Sequence, residues 1–164
     1  MIDYGMNGMR VFISYGGLAD QVTALRLQAL AGVNGLTVFV PPAFTRREVS
    51  ILLDPDVAQK LTASEVVLGV VVDGLSEGCR QELNAGMVQG KHMIVMTYPE
   101  FVPKLQPHFG PNLVVIDPLN PDQSELSIVQ YLRAIDAQQN AKNALLALGT
   151  LALGLLMLAP ADQR

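Results

Sequence analysis

The stretch EVVLGVVVDG, Glu65 to Gly74, decides the fold class of this chain. Seven consecutive residues within it carry no charge, and five of these are valine. A strand that is apolar at every position is buried on both faces, which is typical of a parallel sheet covered by helices on both sides. Residues 79 to 89 follow closely and have apolar side chains four residues apart, as on one face of a helix. The stretch therefore predicts a strand followed by a helix in an α/β fold.

The same alternation continues along the chain in both directions. Predicted strands cover residues 10–15, 36–40, 65–72, 92–97 and 112–116, and predicted helices cover 18–33, 51–63, 79–89 and 122–140. The proline-rich segment 98–110 is predicted to be an irregular loop. Gly35 and Gly90 are predicted to end two of the helices, and Asp122 and Glu125 have the spacing of a capping box that begins the last one. Five strands alternating with helices predict a flavodoxin-like parallel sheet in the order 2-1-3-4-5, with helices on both faces.

This strand order predicts where a ligand would bind. The winding of the chain reverses between strands one and three, and ligands bind at the carboxyl ends of the strands beside such a reversal. Two loops border that crevice, Gly16–Leu18 after strand one and Asp73–Gly78 after strand three. The second loop leads into the helix that carries Glu82. We therefore expect Glu82 to lie at the ligand-binding edge of the sheet.

Composition narrows the classes of function. The 164 residues are half hydrophobic and 16% charged, which indicates one folded domain with a core of its own. The net charge is −4 and no lysine- or arginine-rich block occurs, which argues against a nucleic-acid partner. The single cysteine, Cys79, fits a reducing compartment such as the cytoplasm. One cysteine and two histidines, His92 and His108, disfavour a structural metal site.

Four motifs in order resemble the TIR (Toll/interleukin-1 receptor) domain family. VFISYGGLAD at residues 11–20 is similar to the first family box, and LTVFVPP at 36–42 is similar to its second strand. The strongest match is Ser76, Cys79, Glu82 and Leu83, which reproduce the pattern S-x-x-C-x-x-E-L. KHMIVMTYP at 91–99 resembles the fourth strand. The resemblance covers roughly residues 9 to 136, so we interpret residues 9–140 as a TIR-like domain.

The resemblance implies an activity and a set of site residues. Enzymatic TIR domains cleave the bond between nicotinamide and ribose in NAD, which is their substrate and not a cofactor, and they act when copies assemble, as in bacterial antiphage defence. A carboxylate stabilises the positive charge that cleavage leaves on the ribose. The resemblance gives that role to Glu82. It implies substrate contacts from Tyr15, Gly16, Gly17, Ser76 and Arg46.

Two positions depart from the family pattern. Many members have tryptophan just before the cysteine, where an aromatic side chain helps to hold the substrate, and this chain has Gly78 there. The second family box, R-D-x-x-P-G, is not visible in residues 43–50, where Arg46 and Arg47 are the nearest equivalents. These departures leave two other functions open. One is a non-enzymatic TIR adaptor that acts by association with other TIR domains, and the other is an N-glycosidase for nucleosides or nucleotides.

Each site residue also has a purely structural interpretation. Glu82 is an acid favoured by the helix dipole if it lies in a first turn, and Ser76 is a suitable helix cap. Gly16 and Gly17 fit a plain turn between strand and helix, and Asp20 fits the start of that helix. Cys79 fits core packing, because it shares a helix face with Leu83. Arg46 and Arg47 fit a solvated loop.

The C-terminal segment is strongly apolar. Residues 145–159, LLALGTLALGLLMLA, contain no charge, and an apolar helix over 141–161 would be 21 residues long. Such a helix either anchors a cytoplasmic domain to the inner membrane or packs in a homo-oligomer. Its alanine and glycine residues suit close helix packing in both cases. A tail that folds back on its own domain is the third possibility.

Overall fold

Five strands alternate with helices across the part of the chain that the computed structural model describes, residues 8–42, 53–72 and 74–148, the last nine of these for their backbone alone. The strands are β1 Arg10–Tyr15, β2 Thr37–Phe39, β3 Val66–Val71, β4 His92–Thr97 and β5 Leu113–Val115. The longer helices are α1 Leu18–Gly32, α2 Pro55–Thr62, α3 Glu77–Val88, α4 Val102–Phe109 and α5 Pro121–Leu148. Short 3-10 turns, Pro99–Phe101 and Gly110–Asn112, flank α4.

The strands form one parallel sheet in the order β2-β1-β3-β4-β5, as predicted. β3 is the central strand, and all six of its residues are buried. In the register, Leu68 pairs with Ile13 of β1 and with Ile94 of β4. Full burial of β3 explains why its sequence lacks the alternation of a half-exposed strand.

Apolar layers cover both faces of the sheet, which confirms the predicted architecture. On one face, the side chains of alternate strand residues such as Ile13 and Leu68 meet α1 and α5, and Leu132 of α5 is buried among them. The other face packs against α2, α3 and α4, with Phe12, Val67 and Leu83 among its buried members. This division assigns each strand side chain to one of two core layers.

Glycine follows two helices as predicted, and an aspartate caps the start of a third. Gly35 and Gly90 adopt positive φ angles of 83° and 70° just after α1 and α3. Such angles strain any residue with a side chain, so glycine suits both positions. Asp54 caps α2 by accepting hydrogen bonds from the backbone N–H groups of Asp56 and Val57.

The segment 98–110 is not the irregular loop that its prolines predicted. It contains α4 between two 3-10 turns. Pro103 lies in the first helical turn, where a missing N–H costs little. Leu105 and Phe109 are buried four residues apart against β5 and its neighbours. The burial of these apolar residues outweighs the tendency of the prolines to interrupt a helix.

The start of α5 also differs from the prediction. Glu125 does not serve a capping box; it accepts a hydrogen bond from Arg26 Nη2 at 2.5 Å, which links α5 to α1. The hydrogen bond to Glu125 raises the pKa of Arg26 above its ordinary value. Because the Glu125 side chain is 8% exposed, it requires such a partner.

The helix α5 continues past residue 140 without a break, so residues 141–148 extend it. The rest of the predicted apolar helix, residues 149–161, lies outside the described residues. Among the helices that the structure does describe, none combines the length and the hydrophobicity needed to cross a bilayer.

An ion pair at the amino ends of the strands predicts a pH effect on stability. Glu65 accepts hydrogen bonds from the backbone N–H and the guanidinium of Arg10, at 2.6 and 2.7 Å. Burial by itself raises the pKa of Glu65, but the hydrogen bonds from Arg10 outweigh burial and hold the pKa below its ordinary value. A depressed folded-state pKa stabilises the protein above the unfolded-state value, and this contribution is lost as the pH falls through the folded-state value.

We therefore expect Glu65→Gln to flatten the acid limb of a plot of Tm against pH, below about pH 4.5. Both partners are more than one-third exposed, so the effect should be small and should weaken with added salt. Glu77→Gln, at the exposed Glu77–Arg80 pair, is the control. An acid limb unchanged in Glu65→Gln would contradict this account.

Candidate functional site

The loops after β1 and β3 are joined at the carboxyl edge of the sheet. Gly16 N–H donates to the carbonyl of Val70 at 2.9 Å, and Ser76 N–H donates to the carbonyl of Gly16 at 3.1 Å. The second bond reaches Ser76, the residue just before α3. The position of α3 therefore depends directly on the loop after β1.

Gly16 is buried in this contact between loops. A Cβ at position 16 would overlap the carbonyl oxygen of Gly74 and would lie 3.0 Å from Asp20 Oδ2. Glycine at position 16 thus allows two backbones to approach each other, while the predicted substrate contact of Gly16 stays a prediction. Gly17, half-buried, precedes the first residue of α1.

Asp20 connects the same two loops from the first turn of α1. Its Oδ2 atom accepts from Gly17 N–H at 3.1 Å, and its Oδ1 atom accepts from Val72 N–H at 3.3 Å. The side chain is fully buried. The prediction that Asp20 starts a helix is therefore confirmed, and the structure adds a bond to the end of β3.

Glu82 is buried against β1 and is not a first-turn acid. The helix begins at Glu77, two residues before the predicted start, because Ser76 caps it. Glu82 consequently falls in the second turn, where the effect of the helix dipole has largely declined. Its exposed fraction is 2%. The dipole interpretation does not explain a carboxylate in this position.

Ser14 of β1 holds the Glu82 carboxylate. Ser14 Oγ lies 2.6 Å from Glu82 Oε1 and 3.2 Å from Cys79 Sγ. Ser14 and Cys79 are both fully buried. A carboxylate in such a place requires hydrogen-bond donors, and the Ser14 hydroxyl is one of them. Cys79 packs in the core beside Leu83, as its structural interpretation predicted.

Ser76 is the N-cap of α3. Its Oγ accepts a hydrogen bond from Cys79 N–H at 3.3 Å, while the side chain stays exposed to solvent. The capping interpretation is thus confirmed. The exposed hydroxyl at the same edge of the sheet leaves the prediction of a substrate contact untested.

We expect Ser76→Ala to reduce the free energy of unfolding by about 1 kcal/mol, because the Cys79 N–H loses its acceptor. This corresponds to a fall of about 2–4 °C in Tm. Ser124→Ala is the control, since Ser124 is a partly exposed serine within a helix. In the described part of the chain, its hydroxyl donates only to the carbonyl of Asn120. Equal losses in Tm for the two substitutions would show that the Ser76 cap contributes no more to stability than an ordinary helix serine.

Tyr15 lies in the other core layer. Its ring is 2% exposed and packs in the cluster against α1 and α5, whereas Glu82 lies below the opposite face. The Tyr15 hydroxyl donates to the carbonyl of Pro41 at 2.7 Å, which ties the end of β1 to the chain after β2. The structure therefore does not bring the Tyr15 ring to Glu82. The other predicted contact, Arg46, lies outside the described residues, as does Arg47.

A cleft of about 480 Å³ lies elsewhere, between β5 and α5. Its floor is apolar, with Val114 and Ile128, and its rim carries Asp117 and Asn120. The Asn120 side chain and the Leu119 N–H hold the pKa of Asp117 below its ordinary value. Because β3 and β4 separate β5 from β1, this cleft is distinct from the edge that carries Glu82.

The sequence matches no protein-family model and no curated protein. A functional assignment must therefore rest on the residues and their arrangement. The residues concerned lie on β1, at the start of α3 and within α3, beside the point where the chain direction along the sheet reverses. They are Ser14, Ser76, Cys79 and Glu82.

Proposed function

We propose that this chain is a TIR-like N-glycosidase that cleaves the bond between nicotinamide and ribose in NAD, with Glu82 as the catalytic carboxylate. The observation that carries the proposal is the buried Glu82 beside Ser14, on the helix after β3, where β1 and β3 adjoin. In sheets of this order, ligands bind beside that reversal. The S-x-x-C-x-x-E-L pattern adds the expectation that this ligand is NAD.

The chemistry needs one carboxylate. When the C1–N bond breaks, its electron pair stays with the pyridinium nitrogen, so nicotinamide leaves as a neutral base. Positive charge then develops on the ribose C1 and ring oxygen, and a fixed carboxylate stabilises it. Water adds to C1 and releases a proton to the Glu82 carboxylate or to solvent. Addition of a ring nitrogen of the adenine in place of water gives the cyclised product.

Burial of Glu82 agrees with an enzyme that is inactive until it assembles. A group that is 2% exposed meets a substrate only after the atoms that cover it move. Association of copies is the proposed cause of this movement. The apolar residues 145–159 support it, because a self-associating segment raises the effective concentration of the attached domains.

This mechanism predicts that activity per molecule depends on protein concentration. We expect the specific rate of NAD cleavage to fall on dilution, and to fall further in a chain that lacks residues 141–164. Size-exclusion chromatography with light scattering should show the matching loss of oligomer. A monomeric deletion variant with undiminished activity would exclude activation by assembly.

A non-enzymatic TIR scaffold is the second candidate, and specific observations favour it. Gly16 and Ser76 already serve the fold, as a contact between loops and as a helix cap. Gly78 also provides no aromatic ring for a nicotinamide base. In this case the chain would act by association with other TIR domains, and Glu82 would serve only to anchor α3.

Incubation of the purified full chain with NAD and a panel of nucleosides and nucleotides distinguishes the candidates. The NADase proposal expects nicotinamide from NAD and little base from the other compounds. Base release from nucleotides alone would indicate a nucleotide N-glycosidase. Absence of base release from every compound, at concentrations where the chain is oligomeric, would leave the scaffold as the supported function.

A further inference from the structure

We infer that Ser14 is a positioning residue, which fixes the Glu82 carboxylate for the proposed glycosidic cleavage. The inference rests on the proposed function and adds a residue that the sequence motifs did not assign. Ser14 acts through Glu82 and is not itself placed against a substrate.

The hydroxyl of Ser14 can donate only one hydrogen. Its contact with Glu82 Oε1 is 2.6 Å, a short distance for hydroxyl–oxygen bonds and typical of a bond to a charged acceptor. When Glu82 is ionised, the hydrogen therefore points to Glu82. The same Ser14 Oγ lies 3.2 Å from Cys79 Sγ, which is the longer of the two contacts. The Ser14 hydroxyl thus directs a donor toward the carboxylate.

Two consecutive residues of α3 contact two residues that are paired across the sheet. Ser14 of β1 pairs in register with Gly69 of β3. Glu82 bonds to Ser14, while the neighbouring Leu83 fills the space above Gly69, with its Cδ2 atom 3.0 Å from the position of an added Cβ. Leu83 thus sets the height of α3 on the sheet. Ser14 then fixes the direction of the adjacent carboxylate.

β1 is a rigid support for this task. It pairs with β2 on one side and with β3 on the other, and Ser14 is fully buried within it. A bond from this strand restricts the rotation of a side chain that the helix alone would leave freer. Fixed orientation matters because electrostatic stabilisation depends on where the charge points.

The kinetic test compares Ser14→Ala with the wild-type full chain. A lost hydrogen bond to a charged group corresponds to a decrease of about 10- to 100-fold in rate. We expect that decrease in kcat for NAD cleavage, with KM changed less than about twofold. Ser14→Thr keeps the hydroxyl and should recover most of the lost rate. A kcat equal to wild type in Ser14→Ala would overturn the inference, as would an equal loss in both variants.

Thr97→Val is the matched control. The Thr97 hydroxyl is also fully buried, and it donates to the carbonyl of Val71 at 2.7 Å near the same edge of the sheet. The substitution removes a buried hydroxyl without touching Glu82 in any described bond. We expect a loss of thermal stability with kcat unchanged. A matching loss of kcat would show that any buried hydroxyl here has the same effect.

A double-mutant cycle tests the bond without relying on catalysis. Ser14→Ala should lower Tm by about 3–10 °C in the wild-type background. In a Glu82→Leu background the same substitution should lower Tm much less, because the carboxylate is gone. Equal decreases in both backgrounds would overturn the inference. If the two substitutions are coupled in the cycle but the wild-type protein cleaves no substrate, the bond is confirmed, while the proposed function and the positioning role of Ser14 in catalysis are rejected.

Discussion

Gly16→Ala is expected to lower the free energy of unfolding by about 3 kcal/mol. The added methyl group would overlap the carbonyl oxygen of Gly74, which is backbone and cannot rotate away as a side chain would. The loop after β3 must then move. Since Ser76 N–H donates to the Gly16 carbonyl, the start of α3 would move with it. We therefore expect a loss of any activity that depends on Glu82, together with the loss of stability.

Gly74→Ala is the control for this substitution. A Cβ at Gly74 meets no heavy atom of the described residues within 4 Å, although Gly74 forms the other half of the same contact. We expect a change of less than about 0.5 kcal/mol. Urea unfolding of both variants measures the difference. Equal stability of the two variants would show that the loops separate easily and do not fix α3.

Leu83→Ala is expected to cost about 2–5 kcal/mol, the usual range for a buried leucine. Leu83 is fully buried, and its side chain occupies the space left by the absent side chain of Gly69. Truncation would leave a cavity between α3 and the centre of the sheet. Urea unfolding and Tm measure the loss. Because Glu82 is the preceding residue, the rate of NAD cleavage should fall as α3 shifts.

Val88→Ala provides the comparison within the same helix. Val88 is 87% exposed at the end of α3, so removal of its methyl groups leaves no cavity. We expect its effect to stay within about 0.5 kcal/mol. If Leu83→Ala reduced the free energy of unfolding as little as Val88→Ala, the contact between Leu83 and Gly69 would not hold α3 on the sheet.

The sheet can be predicted because a strand that is buried on both faces has consecutive apolar residues in its sequence. The run Val66–Val71 has no polar side chain, and residues 11–15 are apolar except for Ser14. Helical segments separate the two runs, which is enough to predict parallel pairing. The helix α4 in segment 98–110 is hard to predict because prolines disfavour a helix interior, whereas the apolar spacing of the segment favours a helix. Leu105 and Phe109, with Phe101 before them, lie four residues apart and provided the signal for α4.

The strand order predicts where Glu82 lies along the sheet, but not what surrounds its side chain. The helix start at Glu77, which Ser76 caps, differs from the predicted start at residue 79, and the predicted functional site stays a prediction. Ser14 was not assigned a role, because its bond to Glu82 joins residues 68 positions apart. A contact of that kind depends on how α3 packs on β1, so no local sequence pattern identifies the partner of Ser14. The sequence shows only that a polar residue, Ser14, lies in an otherwise apolar strand and therefore requires a hydrogen-bond partner.

Release of nicotinamide from NAD by the full chain and by Glu82→Gln, at equal concentration, tests the proposed function most directly. Glu77→Gln is the control, an exposed acid of the same helix whose described pairing is with Arg80. Tm values confirm that all three proteins are folded. The proposal predicts cleavage by the wild type and by Glu77→Gln, and a rate at least about 100-fold lower for Glu82→Gln. Equal rates for wild type and Glu82→Gln, or no release by the wild-type oligomer, would contradict it.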